Sequence, residues 1–154
     1  MSKYRIVGRV VTDSDFLHQK SEEVDPKSAE AQSAKRELLD QYKRMSGAVQ
    51  GLAAIQLGIK LSVILVRWER GIEPIVMFNP KVRWSVGNKN SNEGCISEGE
   101  IRYIVKRPVL AGISYEDSDG KRINLLLNHR KARIFCHEYD HTKGILLADH
   151  GKAV

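Results

Sequence analysis

The segment CHEYDH at 136–141 carries His137, Glu138 and His141 in the order H-E-x-x-H. On a helix, side chains at i and i+4 stand one turn apart on the same face. Two imidazoles so placed can bind one metal ion, and the Glu138 carboxylate can reach a water beside it as general base. The same spacing also arises by chance on a helix whose histidines hydrogen-bond in a core. Two imidazoles leave a metal site incomplete. Cys95, in NEGCISEGE at 92–100, is the obvious third ligand, because a thiolate binds Zn²⁺ or Fe²⁺ strongly. Gly94 before it and the alternating Ile96 and Ser97 after it read as a strand with close backbone contacts. The competing reading of Cys95 is a small buried hydrophobe. Cys136 is the rival ligand, but one residue before His137 it points about 100° away around the helix and reads as a packing residue. Asp140 suits either an ion pair or the orientation of a ligand imidazole.

A third segment, VQGLAAIQLG at 49–58, is weak alone. Gly51 lets the backbone approach a neighbour closely, and Gln56 brings an amide donor and acceptor.

These residues need elements to hold them. A helix is predicted after Asp25 as cap and Pro26 as first helical residue, with Ala31, Ala34, Leu38, Tyr42 and Met45 on one apolar face and Gly47 at its end. Short runs rich in Val, Ile, Leu and Tyr follow at 61–68, 75–78, 82–86, 102–105, 109–115 and 123–127. Asn79-Pro80, Gly87-Asn88 and Asp119-Gly120 separate them, as in mostly antiparallel strands joined by turns. A second helix is predicted from an Asn128 cap to about Lys143, with Gly144 closing it. Ile134, His137, Glu138 and His141 share one of its faces, and Ala132, Phe135 and Tyr139 give a second apolar side. A helix apolar on more than one side is a buried one. The fold class is therefore α+β: antiparallel β-sheets packed around a central C-terminal metal-binding helix, with an N-terminal surface helix.

The chain has 154 residues, 42% of them hydrophobic and 29% charged, which suits one soluble domain spanning 1–154. Its longest apolar runs are too short for a membrane span, and MSKYRIVGRVVTDSD has no signal-peptide core. Two cysteines make no disulfide framework, so the expected compartment is the reducing cytoplasm. The net charge is +6, but the basic residues are scattered, which argues against direct nucleic-acid binding.

GLAAIQ at 51–56, EGCIS at 93–97 and HEYDH at 137–141, taken together and in that order, resemble the peptide deformylases. DFLHQKSEEV at 15–24, Arg107-Pro108 and the Tyr115–Gly120 hairpin extend the resemblance over nearly the whole chain. The resemblance implies hydrolysis of the N-formyl group of formyl-methionine on newly made proteins, with formate released. It implies that Cys95, His137 and His141 hold one Fe²⁺, which Zn²⁺ or Ni²⁺ can replace. Glu138 would be the base, while the Gln56 amide and the Ile96 backbone N–H would stabilise the oxyanion. Val49, Gly51 and Leu52 would meet the peptide. The implied partners are N-formyl-methionyl nascent peptides and the ribosome near its exit tunnel, with no DNA and no membrane.

The chain departs from the family pattern at Val49, where a Gly is usual, and at Glu98-Gly99-Glu100, where an apolar residue, Pro and Gly are usual. Cys136 and Thr142 are further departures. Two carboxylates after Ser97 predict a cleft rim that disfavours acidic peptides. Two other readings compete. A metalloprotease would take a third His or Glu as ligand. A non-catalytic paralogue with a structural metal would need neither Gln56 nor Glu138.

Overall fold

The structure, a computed structural model, describes residues 10–45 and 48–154. The first helix, α1, is one turn, Ser14–Leu17, capped by the Asp13 carboxylate. The long surface helix, α2, runs Ala29–Arg44 and is capped by Ser28, whose side chain accepts from the Ala31 N–H. The expected Asp25–Pro26 start is thus displaced. Asp25 instead closes a tight turn, accepting from the Lys27 N–H through its side chain and from the Ser28 N–H through its carbonyl. Ala31, Ala34 and Leu38 form the buried face of α2, as their spacing predicts, while Gly47 lies outside the described residues.

The strands are β1 (Gly51–Ala53), β2 (Val63–Val66), β3 (Ile75–Val86), β4 (Lys89–Gly94), β5 (Arg102–Arg107), β6 (Leu110–Glu116) and β7 (Arg122–Asn128). The helix that carries His137 and His141, α3, follows at His129–Thr142, then α4 (Leu147–His150) and β8 (Lys152–Ala153). Five strands form one sheet in the order β1-β2-β3-β6-β7, and three form a second, β4-β5-β8. Every pairing within them is antiparallel.

Asn79-Pro80 does not break the chain into two strands. It sits inside β3, where the register shifts between Phe78 and Lys81 and Asn79 adopts φ 50°. A bulge accommodates the proline, which has no N–H to give the ladder. The hairpin at Asp117–Gly120 forms as expected: the Asp117 N–H donates to the Lys121 carbonyl, and Gly120 turns at φ 80°.

Strand β2 shows how the core is divided. Its residues Val63, Ile64, Leu65 and Val66 are all buried. Ile64 and Val66 join the cluster around α3, which includes Phe135 and Ala132. Val63 and Leu65 join the cluster around α2, with Leu38 and Phe78. The period of two along a strand sends alternate side chains into opposite layers, so a central strand covered on both faces reads as a continuous apolar run. Helix α3 is thereby held within the protein, and β1 and β4 are left as sheet edges. No helix of the described residues is long and apolar enough to cross a membrane.

Candidate metal centre and peptide cleft

Helix α3 is fixed at both ends. Asn128 accepts from the Lys131 N–H at its start, and Gly144, at φ 74°, turns the chain away after it. A Cβ on Gly144 would run into the His18 carbonyl, so only glycine fits that exit. Between these ends the helix presents His137 and His141 to Cys95, which enters from the turn after β4. Ligand atoms of these three residues all lie within 4.8 Å of one another. The Cys95 Sγ is 3.4 Å from His141 Nε2. Cys136 belongs to the packing around α3, and burial pushes its thiol up to about 12. Cys95 and Ile96 are not on a regular strand: residues Ile96–Glu98 form a 3₁₀ turn with Cys95 at its start.

The surroundings of each imidazole set its protonation. Burial pushes the His141 imidazole down to about 3, leaving the neutral ring that ligates metals. Burial also opposes a charge on His137. The neighbouring Glu138 carboxylate, with hydrogen bonds to Cys95 and Glu93, nevertheless holds this ring well above its ordinary range, so a metal would displace a proton there. Its Nδ1 lies 3.0 Å from Glu93 Oε1. Glu93 in turn accepts two hydrogen bonds from Arg107, at 2.9 and 2.8 Å. Arg107 also reaches Asp140 at 2.7 Å, and Asp140 meets His150 at 2.8 Å. Burial alone would raise the Glu93 carboxyl. The hydrogen bonds from His137 and Arg107 hold it well below the usual carboxylate range. Asp140 therefore takes ion pairs, and the carboxylate that touches the His137 imidazole is Glu93, 44 residues away in sequence.

Glu138 differs. It is buried, and its Oε1 has no hydrogen-bond partner among the described residues. Burial pushes its carboxyl up to about 7. Gly51 of β1 passes directly over it: a Cβ there would stand 2.7 Å from Glu138 Oε2 and 2.8 Å from the Leu65 carbonyl oxygen. Gln56, on the 3₁₀ turn Ala54–Leu57, accepts from the Ala53 N–H at 2.9 Å. Its Nε2 donates to Ser97 Oγ at 3.1 Å and lies 3.6 Å from Cys95 Sγ. Gln56 thus ties the β1 segment to the cysteine turn.

A cleft of about 270 Å³ opens over these groups. Residues 48–51 line one side and 92–96 the other, with His137 and Glu138 from α3. Val49, Gly51, Gln56 and Ile96 all line it. Leu52 does not; its side chain is fully buried in the layer against α2. The alternation along β1 explains this, since Leu52 must face away from its neighbours. Glu98 and Glu100 also fail to line the cleft. The Glu98 carboxylate accepts from the Leu147 and Ala148 N–H groups at 3.0 and 3.1 Å, capping α4, and Glu100 is exposed. The expected acidic rim is therefore absent. Arg102 and Arg133, which sequence reasoning passed over, line the cleft instead. The signal for Arg133 was its place four residues before His137, on the same helix face.

The donor set is one thiolate and two imidazoles, a combination suited to Zn²⁺ or Fe²⁺. Beside it stands a buried carboxylate with an unpartnered oxygen, so the residues fit a catalytic ion better than a purely structural one. On an α+β frame, this site defines a metal-dependent hydrolase. The profile of the polypeptide deformylase family matches residues 8–154, and the chain belongs to that family. The chain is 30% identical over 145 residues to a peptide deformylase of Bartonella quintana, covering 92% of this chain and 81% of that one. The peptide deformylase of Synechococcus elongatus, solved in complex with actinonin, superposes with a TM-score of 0.82 at 28% identity, over 99% of this chain and 83% of that one. A probable peptide deformylase from Synechococcus phage S-SSM7 gives 0.79 at 34% identity, over 92% and 97%. The activity is hydrolysis of the N-formyl amide of nascent peptides.

Proposed function

We propose that Cys95, His137 and His141 hold a single divalent ion, natively Fe²⁺ and replaceable by Zn²⁺ or Ni²⁺, in one catalytic domain spanning 1–154. When bound, such an ion supplies a Lewis acid that polarises a carbonyl oxygen and makes water more acidic. Glu138 accepts the proton of the water that attacks the formyl carbon. It returns that proton to the amine as the C–N bond breaks, releasing formate. The Gln56 amide and the Ile96 N–H donate to the oxygen on which negative charge develops. The free edge of β1 near Val49 and Gly51 pairs with the peptide backbone, with β4 as the opposite edge. A formyl carbon bears no side chain, so a narrow site admits it and turns away internal peptide bonds. Substrates are formyl-methionyl chains emerging from the ribosome in the cytoplasm.

The observation that carries this reading is the buried, unpartnered Oε1 of Glu138 beside three converging ligand atoms. Metal analysis after anaerobic loading with Fe²⁺ tests the ligand set. Cys95→Ala and His141→Ala are expected to lose most of the metal, and Cys136→Ser to keep it. Retention by Cys95→Ala with loss by Cys136→Ser would reverse the assignment. Formate release from formyl-Met-Ala-Ser by the loaded protein tests the reaction.

A further inference from the structure

The carboxylates of the cleft lie at its floor and the guanidiniums at its rim. Among the described residues lining it, the charged side chains besides His137 are Glu93, Glu138, Arg102 and Arg133. Both glutamates are buried, and Glu93 is bound through both oxygens by Arg107. Arg102 is exposed and Arg133 half-buried.

Arg102 is held in place. Its Nε donates to Asn92 Oδ1 at 2.7 Å and its Nη2 to the Asn92 carbonyl at 2.9 Å. These bonds leave Nη1 over Gly94, where a Cβ would stand 2.9 Å away. The guanidinium therefore lies against the backbone just before Cys95, with one nitrogen not used by Asn92. An arginine fixed in this way loses little side-chain entropy on meeting a carboxylate. Arg133 stands one helical turn before His137 and makes no hydrogen bond or ion pair with another described residue. Glu98 does not oppose these cations, since its carboxylate is committed to the start of α4, and Glu100 is exposed outside the cleft lining.

We infer that Arg102 and Arg133 form a carboxylate-reading rim, so that formyl-methionyl peptides with an acidic side chain soon after the methionine are better substrates than those with a basic one. This inverts the preference that Glu98 and Glu100 suggest in the sequence alone. It rests on the site assignment proposed above, and names the class of substrate that site takes. A peptide leaving the ligand cluster crosses the rim, where a carboxylate meets Nη1 of Arg102 and the guanidinium of Arg133 and an ammonium meets like charge. Because the rim faces solvent, the effect is about tenfold rather than larger.

The test measures kcat/KM for two amidated series, formyl-Met-Xaa-Ser and formyl-Met-Ala-Xaa, with Xaa as Glu, Gln or Lys. Amidation removes the terminal carboxylate as a confounding charge. In at least one series the Glu peptide is expected to exceed the Lys peptide roughly tenfold at low salt, with the ratio falling toward one at about 0.5 M salt. The difference should appear mainly in KM, as for binding shared by ground and transition states. Arg102→Gln and Arg133→Gln should each lower the Glu-to-Lys ratio, and Arg133→Glu should invert it in the responsive series. Equal values for Glu and Lys in both series at low salt overturn the inference. So does a ratio that resists salt or survives both arginine-to-glutamine changes. The salt series on the unaltered enzyme stands even if a variant fails to fold. Failure to hydrolyse the Gln peptides with metal loaded would instead overturn the site assignment.

Discussion

On one side of α3, Glu93, Arg107, Asp140 and His150 form a continuous ion-pair and hydrogen-bond network ending on the His137 ring. On another, Glu138 lies beneath Gly51 with one carboxylate oxygen unpartnered. The two glutamates are equally withdrawn from solvent, at 4% and 5% exposure. Their carboxyls nevertheless move in opposite directions. Burial raises both, but only Glu93 has hydrogen bonds from Arg107 and His137 that more than offset it. Burial therefore does not decide the charge of a buried carboxylate here; its hydrogen-bond partners do. The paired residue stays ionised and orients an imidazole. The unpaired one sits near neutrality, where a group can both accept and release a proton.

The strongest break of this comparison is Glu138→Gln. It removes the proton acceptor while leaving a side chain of the same shape, so kcat should fall by at least about 10²–10⁴-fold with metal content and Tm retained. Metal loss matching that of His141→Ala would show Glu138 to be a ligand and end the proposed role. Next comes Glu93→Ala, which leaves the buried Arg107 charge with Asp140 as its remaining ion-pair partner and takes the carboxylate from the His137 ring. Removing one partner of a buried pair costs about 3–5 kcal/mol, a Tm drop on the order of 10 °C for a chain this long. Thermal unfolding measures it, and a drop of only a degree or two would mean that Asp140 alone is enough to hold the Arg107 charge.

Smaller effects come from carboxylates outside both groups. Glu98→Gln weakens the cap on α4 and should cost about 1 kcal/mol in stability. If it leaves Tm unchanged, the cap contributes nothing measurable. The exposed pair of His18 with Asp149, 3.0 Å apart, gives the surface contrast to the buried network. The Ser14 carbonyl raises the His18 imidazole above its ordinary range; burial opposes this, and Asp149 adds to the rise. A raised folded pKa stabilises below the unfolded value near about 6.5, and that contribution is lost as pH rises through the folded value. The Tm gap between the unaltered protein and His18→Gln should therefore be widest below about pH 6, near 1 °C, and close at alkaline pH. A gap that grows with pH would reverse the sign of the interaction.

Features carried by local spacing are legible in the chain alone. His137 and His141 share a helix face because i and i+4 must, and Asn128 and Gly144 mark the helix ends through their own backbone chemistry. The buried runs at 63–66 and 110–116 announce strands through their apolar content. Strand β4 escapes such a reading because its sequence, KNSNEG, is polar throughout; it forms through pairing with β5, not through its own propensity. Local features also mislead: Glu98 reads as a rim charge in the chain, but α4 arrives from about fifty residues away to take it. Residue types and their spacing therefore settle which chemical groups the site contains and how His137, Glu138 and His141 stand along one helix. Folding settles the rest: which groups meet Glu93, which leave Glu138 alone, and which charges line the cleft. Those outcomes depend on contacts between distant segments, and no local periodicity encodes them.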